Sequence, residues 1–245
     1  MIVLYDIPST APGVAWSPNV WKTRYSLNYK GILYRTEWVE YPDIEATCKR
    51  IGAPYTEKRE DGTPLYTLPA IHDPSTGVSL ADSVLIAEYL DATYPDTPKL
   101  LPPGSRTIQH AFLAAYRLML PALWQFALPG TLPILNPPSE AYFRRTKFGP
   151  MIPNVAPTGD LRQEQWAKLK DDFGLLAGWL DKGEADGPYI LGDSASFLDF
   201  AVAGYIIWLR IIWGEGSMEW SDIKRWHNGR WDAFLKRLEK YETVV

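Results

Sequence analysis

Cysteine is almost missing from this chain: among 245 residues only Cys48 is present. A single thiol excludes an intrachain disulfide and any cysteine-built zinc site. Histidine is nearly as scarce, and His72, His110 and His227 lie far apart without the HxxxH or HxE spacing of metal ligands, so no metal is expected. A glycine-rich phosphate loop and a Gly-x-Ser-x-Gly nucleophile elbow are also lacking, which removes nucleotide binding and that form of serine hydrolysis from the expectations. Basic tracts are absent and the net charge is −4, leaving no electrostatic footprint for nucleic acid or anionic membrane. The longest apolar run, 200–213, is shorter than a membrane span and carries Arg210, so it reads as a buried helix. The opening Met1-Ile2-Val3-Leu4-Tyr5 lacks the charged head and long apolar core of a signal peptide and reads as a strand. A reducing, cytoplasmic setting is the resulting expectation.

What the chain has in quantity is apolar and aromatic side chains. Hydrophobic residues make up 46% and charged residues 22%, and this length can bury the cores of two ordinary domains. Eleven Trp, 14 Tyr and 8 Phe point mainly to core packing, with a few available to line a pocket for flat hydrophobic ligands.

The hydrophobic periodicity changes partway along the chain. Residues 2–7 form a β-branched run, 18–30 have helical spacing closed by Gly31, and 33–41 alternate as a strand with Glu37 and Glu40 outward. A brief helix over 43–50 is closed by Gly52. Two strands, 68–72 and 78–80, flank the turn-rich Asp73-Pro74-Ser75-Thr76-Gly77, and 82–92 form a helix. The order β-α-β-α-β-β-α is thioredoxin-like, and it occupies residues 1–94. A proline-dense connector covers 95–104, and 105–245 carry only helical periodicity, at 105–126, 160–182, 196–213 and 222–241. The expected fold class is therefore an α/β thioredoxin-like domain followed by an all-α bundle. Between Pro129 and Pro157 seven prolines suggest a loop or lid over the interdomain cleft, or an irregular surface excursion.

Three short stretches stand out in the first domain: Trp16-Ser17-Pro18-Asn19 after the first strand, Leu68-Pro69-Ala70-Ile71 beginning a later one, and Asp82-Ser83 opening a helix. Each has an ordinary explanation, as a helix start with Pro at its first position, an edge-strand proline and a capping pair respectively. Together with the domain order they resemble the glutathione transferase family over essentially the whole chain. Residues 16–24 and Leu27-Asn28-Tyr29-Lys30-Gly31 resemble the fungal, etherase-related FuA class in particular. Ser196-Phe197-Leu198-Asp199 is similar to that family's capping box, with a folding role.

The resemblance implies glutathione as co-substrate and Ser17 as the catalytic serine, donating to the sulfur at a helix amino end, with the Asn19 amide as a second donor. It gives Leu68 and Pro69 the role of a cis-proline turn whose backbone pairs with the cysteinyl part of glutathione. Asp82 and Ser83 would meet the γ-glutamyl ammonium and carboxylate. For the glycyl carboxylate Lys58 and Arg59 are candidates, with Lys49 and Arg50 as rivals. Trp16, Tyr116, Leu120 and Trp124 would line an acceptor pocket between the domains. The implied chemistry is thiolate attack on hydrophobic aromatic electrophiles, extending to aryl-ether cleavage, by a cytoplasmic homodimer. A non-catalytic, ligandin-like carrier of aromatic metabolites is the alternative.

Overall fold

The computed structural model describes residues 1–148 and 155–245. Its first layer is a four-stranded sheet in the order β2-β1-β5-β6, where β1 is Ile2–Asp6, β2 Tyr34–Trp38, β5 Ala70–Asp73 and β6 Val78–Ala81. Helix α1, Pro18–Lys30, makes the crossover between the parallel pair β1 and β2, while β5 and β6 are antiparallel neighbours. Helix α2 (Ile44–Ile51) and helix α3 (Ser83–Thr93) complete this half, with a two-stranded ribbon of β3 (Glu57–Lys58) and β4 (Pro64–Leu65) between them. Strands of two residues carry no detectable alternation, which is why the ribbon leaves no mark in the sequence pattern.

The helical half contains α4 (Arg106–Met119), α5 (Pro121–Thr131), α6 (Pro137–Lys147), α7 (Gly159–Gly183), α8 (Phe197–Trp213) and α9 (Met218–Leu238). The apolar run at 200–213 is, as expected, largely core: every residue of α8 from Phe197 to Leu209 is buried, and 210–213 are half-buried. No single described helix is long and apolar enough to cross a membrane. At the start of α8 the Ser196 amide and hydroxyl donate to the Asp199 carboxylate at 2.8 and 2.9 Å, and the Asp199 amide donates back to the Ser196 side chain, closing the expected capping box. Burial pushes the Asp199 carboxyl up to about 6 against the pull of these donors and of the Ile190 amide.

Three expectations are corrected. The helix read over 105–126 is two helices meeting at 75°, because Pro121 bars helical geometry at Leu120 and starts α5 afresh. The proline-rich stretch is not a loop over most of its length: α5 continues to Thr131, a 3-10 turn covers Leu132–Ile134, and Pro137 opens α6. Residues 149–154, including Pro150 and Pro153 of the expected lid, lie outside the described residues. Glu40 does not face outward, since it accepts hydrogen bonds from Asn136 at 2.7 Å and from Ser139, and Ser139 accepts from the Tyr41 amide at 2.9 Å. These contacts clamp α6 onto the 3-10 turn Tyr41–Asp43 of the first half. Helix α9 is also interrupted, by left-handed His227, Asn228 and Gly229.

The two halves meet chiefly where α1 lies along α8. Gly204 makes this possible: a Cβ there would sit 2.6 Å from the Pro18 carbonyl oxygen. The far end of the chain returns to the same seam. Tyr25 donates to Glu242 at 2.9 Å, Arg210 pairs with Glu242 at 2.5 Å, Asn28 donates to the carbonyl oxygens of Tyr241 and Thr243, and the Thr36 amide of β2 donates to Val245 at 3.1 Å.

Candidate functional site

Strand register brings the three marked stretches to one edge of the sheet. Tyr5 of β1 stands opposite Ala70 of β5, and Ala70 opposite Ala81 of β6. The chain leaving β1 toward Ser17, the Leu68-Pro69 step entering β5 and the Asp82-Ser83 step leaving β6 therefore all emerge at the same end. The Leu68–Pro69 peptide bond is cis.

Ser17 occupies the cap position of α1 with extended backbone (φ −61°, ψ 120°), followed by Pro18 in the first turn. It is buried, at 4% exposure, yet its side chain makes no capping hydrogen bond to the helix amides. The ordinary reading of this residue as a cap is thus not what the geometry shows. The helix amino end favours negative charge beside it, and the hydroxyl is free to donate. Asn19 is exposed in the first turn, and its Oδ1 accepts from Lys22 Nζ at 2.8 Å.

Asp82, in contrast, does cap its helix: Oδ1 accepts from the Val84 and Leu85 amides at 2.8 and 3.2 Å. Its φ of 78° places a non-glycine residue in the left-handed region, a conformation costing on the order of 1 kcal/mol or more that the surroundings must enforce. Oδ2 has no partner among the described residues, and Ser83 beside it is buried.

The four candidate cations divide clearly. Lys49 pairs with Glu45 at 2.7 Å, Arg50 with Glu37 at 3.1 Å, and Arg59 lies 3.8 Å from Glu45 while donating to the Pro64 carbonyl. Lys58, exposed on β3, has no ion-pair partner among the described residues.

The four aromatic and apolar candidates fall into two groups. Trp16 packs against Tyr41 and Phe143, joining the loop before Ser17 to α6. Tyr116 and Trp124 both meet Tyr205 edge-on, at 5.5 and 5.9 Å between centroids, and Leu120 is buried at the α4–α5 bend. The hydroxyl of Tyr116 is buried without a partner among the described residues. Among the described residues no ring contact joins Trp16 to Tyr116 or Trp124. A cavity of about 710 Å³ lined by Phe112, Trp179, Leu198, His227 and Phe234 lies elsewhere in the helical half and contains none of the expected site residues. Among the described residues no group of three or more His, Cys, Asp or Glu is placed to hold a metal ion.

Sequence reasoning passed over Lys22. It is buried, its Nζ lies 5.1 Å from the Tyr205 ring, and its stem runs past Gly204. Burial, with Arg117 adding to it and Asp82 opposing, pulls its ammonium down to about 7. The available signal was its position three residues after Asn19, on the same helical face.

Comparison with known proteins fits this arrangement. Residues 16–93 match the family model for the glutathione S-transferase N-terminal domain, and 107–241 that for the C-terminal domain. A glutathione S-transferase-like protein, ustS, of Aspergillus flavus is 33% identical over 96% of this chain and 90% of its own length. A Ceriporiopsis subvermispora glutathione S-transferase solved in complex with glutathione is 46% identical, with a TM-score of 0.93 over 100% of this chain and 98% of its own. Glutathione transferase GSTFuA3 of Phanerochaete chrysosporium is 42% identical, with a TM-score of 0.91 over the same shares. With a thioredoxin-like sheet whose cis-proline edge faces an all-helical partner, and with both domain models matched, this chain belongs to the glutathione S-transferase family.

Proposed function

We propose that the protein transfers glutathione to hydrophobic aromatic electrophiles, with Ser17 holding the sulfur as thiolate. The observation that carries this reading is the buried Ser17 hydroxyl at the amino end of α1, uncommitted to capping. A free thiol has a pKa near 8.5, and lowering it by about two units needs roughly 2.7 kcal/mol of preference for the charged form. One charge-assisted hydrogen bond together with a helix terminus is of that size. No covalent bond to the protein is needed, because the thiolate itself attacks the electrophilic carbon and the leaving group departs with the electron pair. With an activated aryl ether that leaving group is an alkoxide or phenolate, so the same step covers ether cleavage.

The remainder of the tripeptide has a candidate for each demand. The Leu68 backbone beside the cis-proline pairs with the cysteinyl amide. The free oxygen of Asp82 meets the γ-glutamyl ammonium, and Ser83 with the first amides of α3 meets its carboxylate. Lys58 is the favoured cation for the glycyl carboxylate because its rivals are already paired. On the helical side Tyr116, Leu120 and Trp124 face the acceptor, with Trp16 closing the other wall through α6. A homodimer is the proposed assembly, supported by exposed apolar side chains on α4 and α7, including Ile108, Leu118, Leu175 and Trp179.

The test compares wild type with Ser17→Ala. Conjugation efficiency is expected to fall by about 10²-fold, the loss typical of one donor to a developing or stabilised anion. The pKa of the bound thiol, read from thiolate absorbance, should rise while affinity for glutathione stays within a few-fold. Unchanged thiol pKa and turnover would remove Ser17 from the mechanism. The cavity in the helical half favours a second reading, storage of aromatic ligands, which predicts that Ser17→Ala binds them undiminished with negligible turnover in both proteins.

A further inference from the structure

We propose that Lys22 is a positioning residue that locks the Asn19 side-chain amide with its nitrogen turned toward the glutathione sulfur. The inference rests on the reading that the amino end of α1 cradles the thiolate, and it adds the device that makes Asn19 a donor there rather than an acceptor.

An asparagine amide has two nearly isosteric ends, one an acceptor and one a donor, and a half-turn exchanges them. Facing a thiolate, only the nitrogen end attracts; the oxygen end repels. Nothing in an exposed asparagine chooses between the two. Lys22 makes the choice. An ammonium has three donors and no acceptor, so the Asn19 atom 2.8 Å from its Nζ must be the oxygen. The nitrogen then occupies the other branch of the amide, and among the described residues it has no partner of its own.

Lys22 is held firmly enough to serve this purpose. Its side chain is buried, and its stem packs at the Gly204 position, where an added Cβ would lie 3.4 Å from Lys22 Cγ. The Nζ sits 5.1 Å from the Tyr205 ring, whose face favours a cation. The charged and titratable groups facing it are Asp82 at the start of α3, Arg117 on α4 and Tyr205 on α8, and among the described residues none forms an ion pair with it. A lysine buried without a carboxylate partner is rare, and here its one side-chain hydrogen bond among the described residues goes to a residue two positions from Ser17. Burial, with Arg117 adding to it, pulls the ammonium down to about 7, and an anionic sulfur nearby would favour its charged form.

The test is a double-mutant cycle read in the pKa of the bound glutathione thiol and in kcat. Asn19→Ala and Lys22→Met are each expected to raise the thiol pKa and lower kcat by about tenfold with glutathione affinity within threefold. The double variant should be no worse than Asn19→Ala alone, because the lysine acts through the amide. Lys22→Arg, also a donor without an acceptor, should restore most of the rate; Lys22→Gln, which can present either end, should not, and it serves in place of Lys22→Met if that variant fails to fold. Effects that add fully in the double variant, or an unchanged thiol pKa in Lys22→Met and Lys22→Gln while Asn19→Ala raises it, would overturn the role of Lys22 and leave the thiolate cradle standing. An unchanged thiol pKa in Asn19→Ala would overturn this proposal whatever Lys22 does. If Ser17→Ala also left that value unchanged, the cradle itself would fall with it.

Discussion

Single side chains in this protein are held by charge as much as by packing. Asp6 and Arg24 are both fully buried and meet at 2.8 Å, with Arg24 also donating to Tyr34 and Thr36. Burial raises the Asp6 carboxyl above its ordinary value despite the guanidinium. Replacing only one member, as in Arg24→Met, strands the other charge and should destabilise the fold by about 3–5 kcal/mol in urea titrations. Asp73 behaves in the opposite sense. Burial opposes its charge, but hydroxyls of Ser75, Tyr94 and Tyr89 donate to it and hold the carboxyl down at about 2. An unfolded aspartate titrates near 3.9, so the unfolded chain takes up the proton first as pH falls. Asp73 thus lends roughly 2 kcal/mol above pH ~4 that is lost toward pH ~2. The stability gap between wild type and Asp73→Asn should be full at pH 5 and about half that at pH 3, as read from denaturant midpoints. The place of Ser17 at a helix start was legible at this scale because Pro18 follows it. Lys22 was not, because a lysine in a helix is ordinarily a solvated residue, and only the approach of α8 buries it.

At the scale of elements, proline decided both what could be read and what could not. Pro69 gave away the turn into β5, and Gly31 and Gly52, both left-handed in the structure, gave away two helix ends. The same residue type hid α5 and α6. A proline after a hydrophobic run suggests a break, yet at the first position of a helix its fixed φ and missing N–H are advantages. Pro121 and Pro137 both stand there, so the helix read over 105–126 is broken at Leu120, and α6 lies inside the stretch read as a loop, a lid or a surface excursion. Thioredoxin-like order survived this ambiguity because its turns carry specific chemistry, whereas helix joints in the second half depend on tertiary contacts such as Glu40 with Asn136 and Ser139. The joint between α1 and α8 yields its own prediction. Gly204→Ala puts a methyl group against the Pro18 carbonyl and should cost about 1–3 kcal/mol through overpacking. Because Pro18 follows Ser17, conjugation should also drop in the folded fraction, whereas an exposed control such as Met218→Ala should leave both readouts unchanged.

For the whole molecule, the division into two halves was written in the change from mixed to purely helical periodicity. The way the halves are fastened was not. Nothing in the local pattern of 242–245 announces that Glu242 bridges Tyr25 and Arg210, or that Val245 receives the Thr36 amide of the edge strand. Removing residues 242–245 should therefore loosen the seam between α1 and α8. Hydrogen exchange at the Thr36 amide should quicken, and the thermal midpoint should fall by several degrees, as expected for a loss of about 1–2 kcal/mol.

The close passage of α8 beneath Pro18 means that the amino end of α1, the proposed seat of the sulfur, is supported by a helix nearly two hundred residues downstream. A chimera joining the first ninety-four residues to a foreign helical partner would inherit every group proposed to touch the tripeptide. It would still hold them slackly, with Lys22 returned to water and Asn19 free to turn either way.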